Sequence, residues 1–346
     1  MNLPKLSYVL LSHNREKYIR GAIESAFAQD YEGELEYIFS DDCSTDRTYE
    51  IIQECVRNYK GNRKVIVTQT PKNLHLAGNT NHAVQFATGD FVVRADDDDY
   101  STVDRCSIIG KAIAQNPGCS SVITKLKHFT DEEDSHIREL CQHAHSEHPD
   151  YQIYDIFKGY DGLSDFYKKD SLHQAWSIDV YKKFSPLPLD GYWVDDVMCM
   201  YRANVLGFCI SIPLITAMVR QASLNMSTGG NDGTRGYKSI IRLEKFNDKY
   251  MDITYPPLQS TITEITQYIQ QNRAASYSSA SNFFNTLEAD MQKRKLLQSY
   301  WKKGIRNRFR IRKILNYKGL FSILRCLPMP LFAFLLTCYR VLFRKM

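Results

Sequence analysis

Apolar and polar positions fall into blocks along the first hundred residues, and the blocks carry two periods. Leu6 to Leu11 (LSYVLL) is a mostly apolar run that reads as a buried strand, ended by the polar turn Ser12-His13-Asn14-Arg15. From Tyr18 to Gln29, Ile19, Ile23, Ala26 and Phe27 recur at helical spacing and predict an amphipathic helix. The plan then repeats: a strand over Leu35 to Phe39, a helix over Arg47 to Tyr59 that Thr45 or Asp46 can cap, and a strand over Val65 to Thr68. A helix over Ala77 to Ala87 and a strand over Phe91 to Ala95, with Gly89 at the turn before it, complete the series. Strands alternating with helices predict an α/β fold: a mostly parallel, Rossmann-like central sheet with right-handed crossovers and flanking helices. Each polar cluster in this stretch follows a strand, so the clusters share the carboxyl edge, where open α/β sheets hold ligands.

Beyond residue 100 the pattern weakens. A helix is predicted over Thr102 to Gln115, stopped by Asn116-Pro117-Gly118, and a short strand over Ser121 to Thr124. From Lys127 to Asp170 the chain is polar and aromatic; His136, His143, His145 and His148, with Cys141 nearby, match no standard zinc spacing. That segment reads as a solvated loop or an acceptor-side insertion. Order resumes over Ser171 to Val180, and after the Pro-rich link Ser185 to Leu189 comes Tyr192-Trp193-Val194-Asp195-Asp196, leading into a helix from Val197 to about Leu206. Two carboxylates at a helix start can serve as a cap or as a general base, and the residues alone leave both open. An apolar stretch over Ile210 to Val219 ends at Arg220. The Gly-rich run Ser227 to Gly236 then reads as a loop able to close over phosphates or as a linker, and about Ser260 to Lys303 as a polar helical extension.

Composition changes the picture in one place. With 346 residues, 43% hydrophobic and 24% charged, the chain is globular, but its net charge of +5 is unevenly spread. From Lys293 onward there are fifteen Lys and Arg and no Asp or Glu, leaving a body with a balance of −10. The fourteen uncharged residues between Arg325 and Arg340, broken by Pro328 and Pro330, are too few for a spanning helix. A basic stretch beside Phe- and Leu-rich turns suits an anionic membrane surface better than nucleic acid. Nine cysteines without a CxxC pair, and no signal-peptide pattern, imply reduced thiols and a cytoplasmic protein peripheral at the inner face of the membrane.

The chemistry centres on Phe91 to Tyr100, FVVRADDDDY. Asp96, Asp97, Asp98 and Asp99 are like charges at adjacent positions, and that repulsion costs free energy in water. An isolated acidic run is most often a solvated loop; at the carboxyl end of an apolar strand, a divalent cation such as Mn²⁺ or Mg²⁺ explains it better. A nucleotidyltransferase would share such a site, but would carry a Gly-rich loop where this chain has Ser12-His13-Asn14-Arg15. A non-catalytic membrane scaffold of the same fold has no need of these carboxylates.

Taken together, SYVLLSHNREKYI, EYIFSDDCSTDRTYEII and GDFVVRADDDDY resemble the family-2 glycosyltransferases, inverting enzymes of the GT-A fold, over roughly Leu6 to Ser223. The resemblance implies a nucleoside diphosphate sugar as donor and a saccharide or lipid-linked saccharide as acceptor, in surface-polysaccharide or glycolipid assembly. It implies that Asp42 holds the base or ribose and that Ser12 and His13 line the same pocket. Asp96 to Asp98 correspond to the DxD motif: Asp98 and Asp96 would serve the metal, with Asp96 and Asp97 near the ribose. Asn81 and Arg220 match donor-side positions, Asp196 matches the catalytic base, and Asp195 stands where many members have Glu. His13, Thr80 and Ala222 replace a frequent Tyr, Arg and His. The implied organisation is a GT-A domain over 1–240, with a nucleotide half (1–106) and an acceptor half (107–240). A helical extension over 241–346 would carry the membrane-associating tail from about 293.

Overall fold

The computed structural model describes residues 2–146, 150–158, 174–189, 195–221, 237–276, 278–297, 300 and 303–315. Nine strands among these residues form one sheet: β1 (Leu6–Ser12), β2 (Leu35–Asp41), β3 (Val65–Gln69), β4 (Phe91–Asp96), β5 (Tyr100–Ser101), β6 (Cys119–Phe129), β7 (Gln152–Tyr154), β8 (Gln174–Ser177) and β9 (Phe208–Arg220). Their order is β3-β2-β1-β4-β8-β6-β9-β5, with β7 on β9. The expected parallel sheet is the run β3-β2-β1-β4. The other half is mixed: β8 is antiparallel to β4 and β6, β6 and β9 are parallel, and β5 and β7 are antiparallel to β9.

The α-helices among the described residues are α1 (Ile19–Phe27), α2 (Thr48–Asn58), α3 (His75–Val84), α4 (Arg105–Gln115), α5 (Asp134–Cys141), α6 (Asp179–Lys182), α7 (Asp195–Leu206), α8 (Tyr237–Asn272), α9 (Ser281–Leu297) and α10 (Ile305–Ile314). Side chains alternate across β1, β2 and β4. Leu6, Tyr8, Leu10, Phe91, Val93 and Phe39 pack with Ile19, Ile23, Ile52 and Ile109 on one face, while Val9, Leu11, Ile38 and Val92 meet Ala83 and Ala87 on the other. Strands buried on both faces read as unbroken apolar runs, and each fully buried Leu or Ile contributes about 1.5–3 kcal/mol. Gly89 is required before β4: a Cβ there would lie 2.7 Å from the backbone nitrogen of Ser7. Nearly all of α7 is buried, unlike an ordinary surface helix.

Two compact units divide the chain. One comprises Met1–Gln221 with Ser260–Thr286 and contains the whole sheet; the other comprises Ala222–Gln259 with Leu287–Met346, and its described part is helical. Pro256 and Pro257 lie inside α8, close to where that helix passes from one unit to the other. Among the described residues no helix is long and apolar enough to cross a membrane. The seven described cysteines are free thiols. The Gly-rich run 227–236, His148 and the apolar tail segment from residue 316 lie outside the described residues.

Candidate active site

In-register pairing of β1 with β2 and β4 sets Ser12 beside Asp41 and Leu11 beside Asp96, so the polar turns after these strands converge. One residue after each of β1, β2 and β3 takes a left-handed backbone: Asn14 (φ 53°), Cys43 (φ 53°) and His75 (φ 60°). The reversals turn backbone groups toward one another. Asp42 N–H donates to the Ser12 carbonyl (2.8 Å), and His13 N–H donates to Asp97 Oδ2 (2.8 Å). His13 Nδ1 lies 2.8 Å from the Asp42 carbonyl, which can only accept, so the imidazole carries its proton on Nδ1. Its Nε2 then accepts from Asn73 Nδ2 (2.9 Å) and Asn14 Nδ2 (3.2 Å).

Asp42 is buried, and its Oδ1 accepts from the Thr70 hydroxyl (2.7 Å) and the Leu74 N–H (2.8 Å). Ser12 Oγ is buried at the same edge and has no hydrogen-bond partner among the described residues. Ser12, His13, Asp42 and Asp97, singled out from the sequence, therefore come together.

The four consecutive carboxylates are not equivalent. Asp96 Oδ1 lies 3.6 Å from Arg94 Nη2. Asp97 and Asp98 share Arg15, whose Nε stands 3.6 and 3.5 Å from them. Asp99 Oδ1 accepts the Arg220 N–H at 2.7 Å, which ties it to the end of β9. Burial, and then the neighbouring Asp98, push the Asp97 carboxyl well above the usual carboxylate range against the pull of Arg15. Burial and Asp99 push Asp98 up to about 7.

Carboxylates under this pressure fit a cation. No three His, Cys, Asp or Glu side chains form a preformed cage among the described residues. Hard divalent cations take carboxylate oxygens of the kind that Asp96 and Asp98 carry, completed by water and phosphates.

Asp195 and Asp196 open α7 and behave differently. Asp195 is 3% exposed and its Oδ2 accepts from Arg94 Nη1 at 2.6 Å. Burial raises its pKa to about 6, with Arg94 opposing and Asp196 adding to the rise. Asp196 is half-buried and its Oδ1 accepts the Val197 N–H at 2.8 Å, within the first helical turn.

Two expected donor contacts are placed elsewhere. The Asn81 amide spans to the Leu187 backbone, donating to its carbonyl (2.7 Å) and accepting its N–H (2.9 Å). Arg220 is buried, with its guanidinium on Asp131 (2.6 Å), Asp134 (2.5 Å), the Tyr100 hydroxyl (2.9 Å) and the Asp98 carbonyl (3.1 Å). The rings of Tyr18 and Phe129 lie 4.5 Å from it. A guanidinium packed in this way ties the end of β9 to Asp131 and to the start of α5. Thr80 bonds within its own helix, to the Leu76 carbonyl. His145 pairs with Asp104 (2.9 Å) rather than with other histidines. Arg15, Thr70 and Arg94 were not singled out for the site. Arg94 carried a signal nonetheless: a cation inside an otherwise apolar strand.

The family model described as Glycosyl transferase family 2 matches residues 7–178. EpsE of Bacillus subtilis, designated a glycosyltransferase, is 38% identical over 98 residues, 28% of this chain and 34% of that protein. The poly(ribitol-phosphate) β-N-acetylglucosaminyltransferase TarS of Staphylococcus aureus is 36% identical over 98 residues, 28% of this chain and 16% of that protein. These matches thus span about a third or less of each relative's length.

Among solved structures, TarS residues 1–349 in complex with UDP-GlcNAc superpose with a TM-score of 0.53 at 17% identity, covering 92% of this chain and 90% of that one. The mannosyltransferase PcManGT of Pyrobaculum calidifontis, in complex with GDP-Man and Mn²⁺, gives 0.50 at 14% identity, covering 99% and 88%. At such identities the likeness is one of fold.

Proposed function

The chain belongs, through residues 7–178, to the family-2 glycosyltransferases, and from that premise we propose that it transfers a sugar from a nucleoside diphosphate sugar to an acceptor hydroxyl with inversion. The observation that supports this most is the convergence at one sheet edge of Ser12, His13, Asp42 and Asp97 with a helix that begins at Asp195 and Asp196. The TarS complex with UDP-GlcNAc and the PcManGT complex with GDP-Man and Mn²⁺ lend the donor class.

In this reading Asp42 and His13 receive the nucleoside, and Ser12 Oγ is a free hydroxyl beside it. Asp196 takes the proton of the acceptor hydroxyl. The acceptor oxygen then bonds to the anomeric carbon on the face opposite the diphosphate, whose C–O bond breaks with its electron pair leaving on the phosphate. One displacement inverts the centre and needs no nucleophilic carboxylate. Mn²⁺ or Mg²⁺ at Asp98 and Asp96, when bound, would offset charge on the departing nucleoside diphosphate.

The acceptor is a saccharide or lipid-linked saccharide in polysaccharide or glycolipid assembly, with residues 1–106 serving the nucleotide and 107–240 the acceptor. Over 241–346, α10 carries Arg306, Arg310, Arg312 and Lys313; with the tail from about 293, it would hold the enzyme against anionic lipid at the inner face of the cell membrane.

A panel of nucleoside diphosphate sugars, assayed with Mn²⁺ and with chelator, tests the reading. Metal-dependent release of one nucleoside diphosphate is expected, and Asp196→Asn should lower turnover about a thousandfold while sparing donor affinity. Turnover retained in Asp196→Asn would remove it as the base.

A further inference from the structure

We propose that Arg94 is a positioning residue: it ties Asp195, at the start of the base-bearing helix α7, to Asp96 at the end of β4, and so sets the distance between base and donor. The inference rests on the transferase reading and adds a part to it.

Arg94 stands one residue beyond the paired stretch of β4 and β8, which ends at Val93 opposite Ala175. On β4 it shares a face with Val92 and Asp96, two residues to either side. It is 3% exposed, in a place where an aliphatic side chain would satisfy the sheet. Nη1 meets Asp195 Oδ2 at 2.6 Å and Nη2 lies 3.6 Å from Asp96 Oδ1, so one guanidinium serves carboxylates from two elements. Its own carbonyl is held by Arg105 Nη2 at 2.7 Å, which fixes the strand as well as the side chain.

A buried ion pair is a weak source of stability, since desolvation offsets much of its attraction. It is a strong source of geometry, because the planar fork accepts few arrangements. The arrangement also separates the two acids of α7. Asp195 is the acid held directly against Arg94, and Asp196, the next residue, is the one the transferase reading assigns to the acceptor proton.

The test uses the full chain and whichever nucleoside diphosphate sugar the unmodified enzyme cleaves, with two readouts: steady-state kinetics and calorimetric binding of the matching nucleoside diphosphate. Arg94→Met should lower kcat about a hundredfold, the penalty of a misplaced reacting group. Donor KM and nucleotide Kd should stay within about threefold. Arg94→Lys, which keeps the charge but not the fork, should recover roughly a tenth of wild-type kcat. If Arg94→Met does not fold, as judged by circular dichroism and a thermal melt, Asp195→Asn breaks the same tie isosterically and should show the same loss in kcat.

A rise in KM with kcat unchanged, or a folded Arg94→Lys no better than Arg94→Met, would overturn the positioning role. Donor cleavage lost in Asp196→Asn but kept in Arg94→Met would remove that role alone. No cleavage of any donor by the unmodified enzyme would remove the transferase reading with it.

Discussion

The two halves of the sheet treat negative charge in opposite ways. In the parallel half, Asp41, Asp42 and Asp97 are held by neutral donors: the Ser44 N–H and Gln69 amide, the Thr70 hydroxyl and Leu74 N–H, and the His13 N–H. Arg15 stands off from Asp97 and Asp98 at 3.5–3.6 Å. In the mixed half, carboxylates meet buried arginines at close range: Asp131 and Asp134 on Arg220, Glu264 on Arg202, and Asp195 on Arg94 at the border. Neutral donors orient a charge without cancelling it, whereas a guanidinium cancels it. The parallel half therefore presents its negative charge to an incoming ligand, and the mixed half uses its own for structure.

Breaking the mixed half should cost the most stability. Arg220→Met removes the buried guanidinium that joins Asp131, Asp134, the Tyr100 hydroxyl and the Asp98 carbonyl, though Lys17 stays on Asp131 and Arg138 on Asp134, and loss of that network should lower unfolding free energy by about 3 kcal/mol in urea titrations; an unmoved midpoint would erase the contrast. In the parallel half, Asp98→Ala should weaken nucleoside diphosphate binding in Mn²⁺ about a hundredfold, roughly 2.7 kcal/mol by calorimetry. The same change should stabilise the metal-free protein by about 1 kcal/mol, because it removes a buried carboxylate crowded by its neighbours.

A pH series sharpens the point. Asp97 is raised and Asp98 sits at about 7, above their values in the unfolded chain. Between the ordinary carboxylate range and pH 7 the native state thus binds more protons, and metal-free stability falls as pH rises through that window. Since metal needs the ionised carboxylates, Mn²⁺ should raise Tm by about 3 °C at pH 7.5 and by less at pH 5.5, read against chelator. The smallest effect is expected from Asn81→Ala, which should cost about 1 kcal/mol and leave nucleotide Kd unchanged; a weakened Kd would return Asn81 to the donor pocket.

These contrasts also mark what could be read from sequence. β1, β2 and β4 were legible because burial on both faces leaves apolar runs that polar turns cut cleanly. The grouping of Ser12, His13, Asp42 and Asp97 was legible for the same reason, since strand ends share an edge. By contrast, only Ile137 and Cys141 of the eight residues of α5 are buried, too few to show a helical period among polar neighbours. β5 has two residues and no period at all. The ion pairs of Arg94 and Arg220 were not legible, for a different reason. Their partners lie far along the chain, Asp195 at a separation of 101 residues and Asp134 at 86, and no local pattern announces a pairing of that range.

The three left-handed residues that follow the first three strands bear on timing. Asn14, Cys43 and His75 each hold a backbone that costs about 1–2 kcal/mol, a cost met once, when the chain folds. A nucleotide then arrives at loops that need no rearrangement to receive it. Its association rate should be governed by diffusion and orientation, with a single kinetic phase and no slow step that saturates as nucleotide concentration rises.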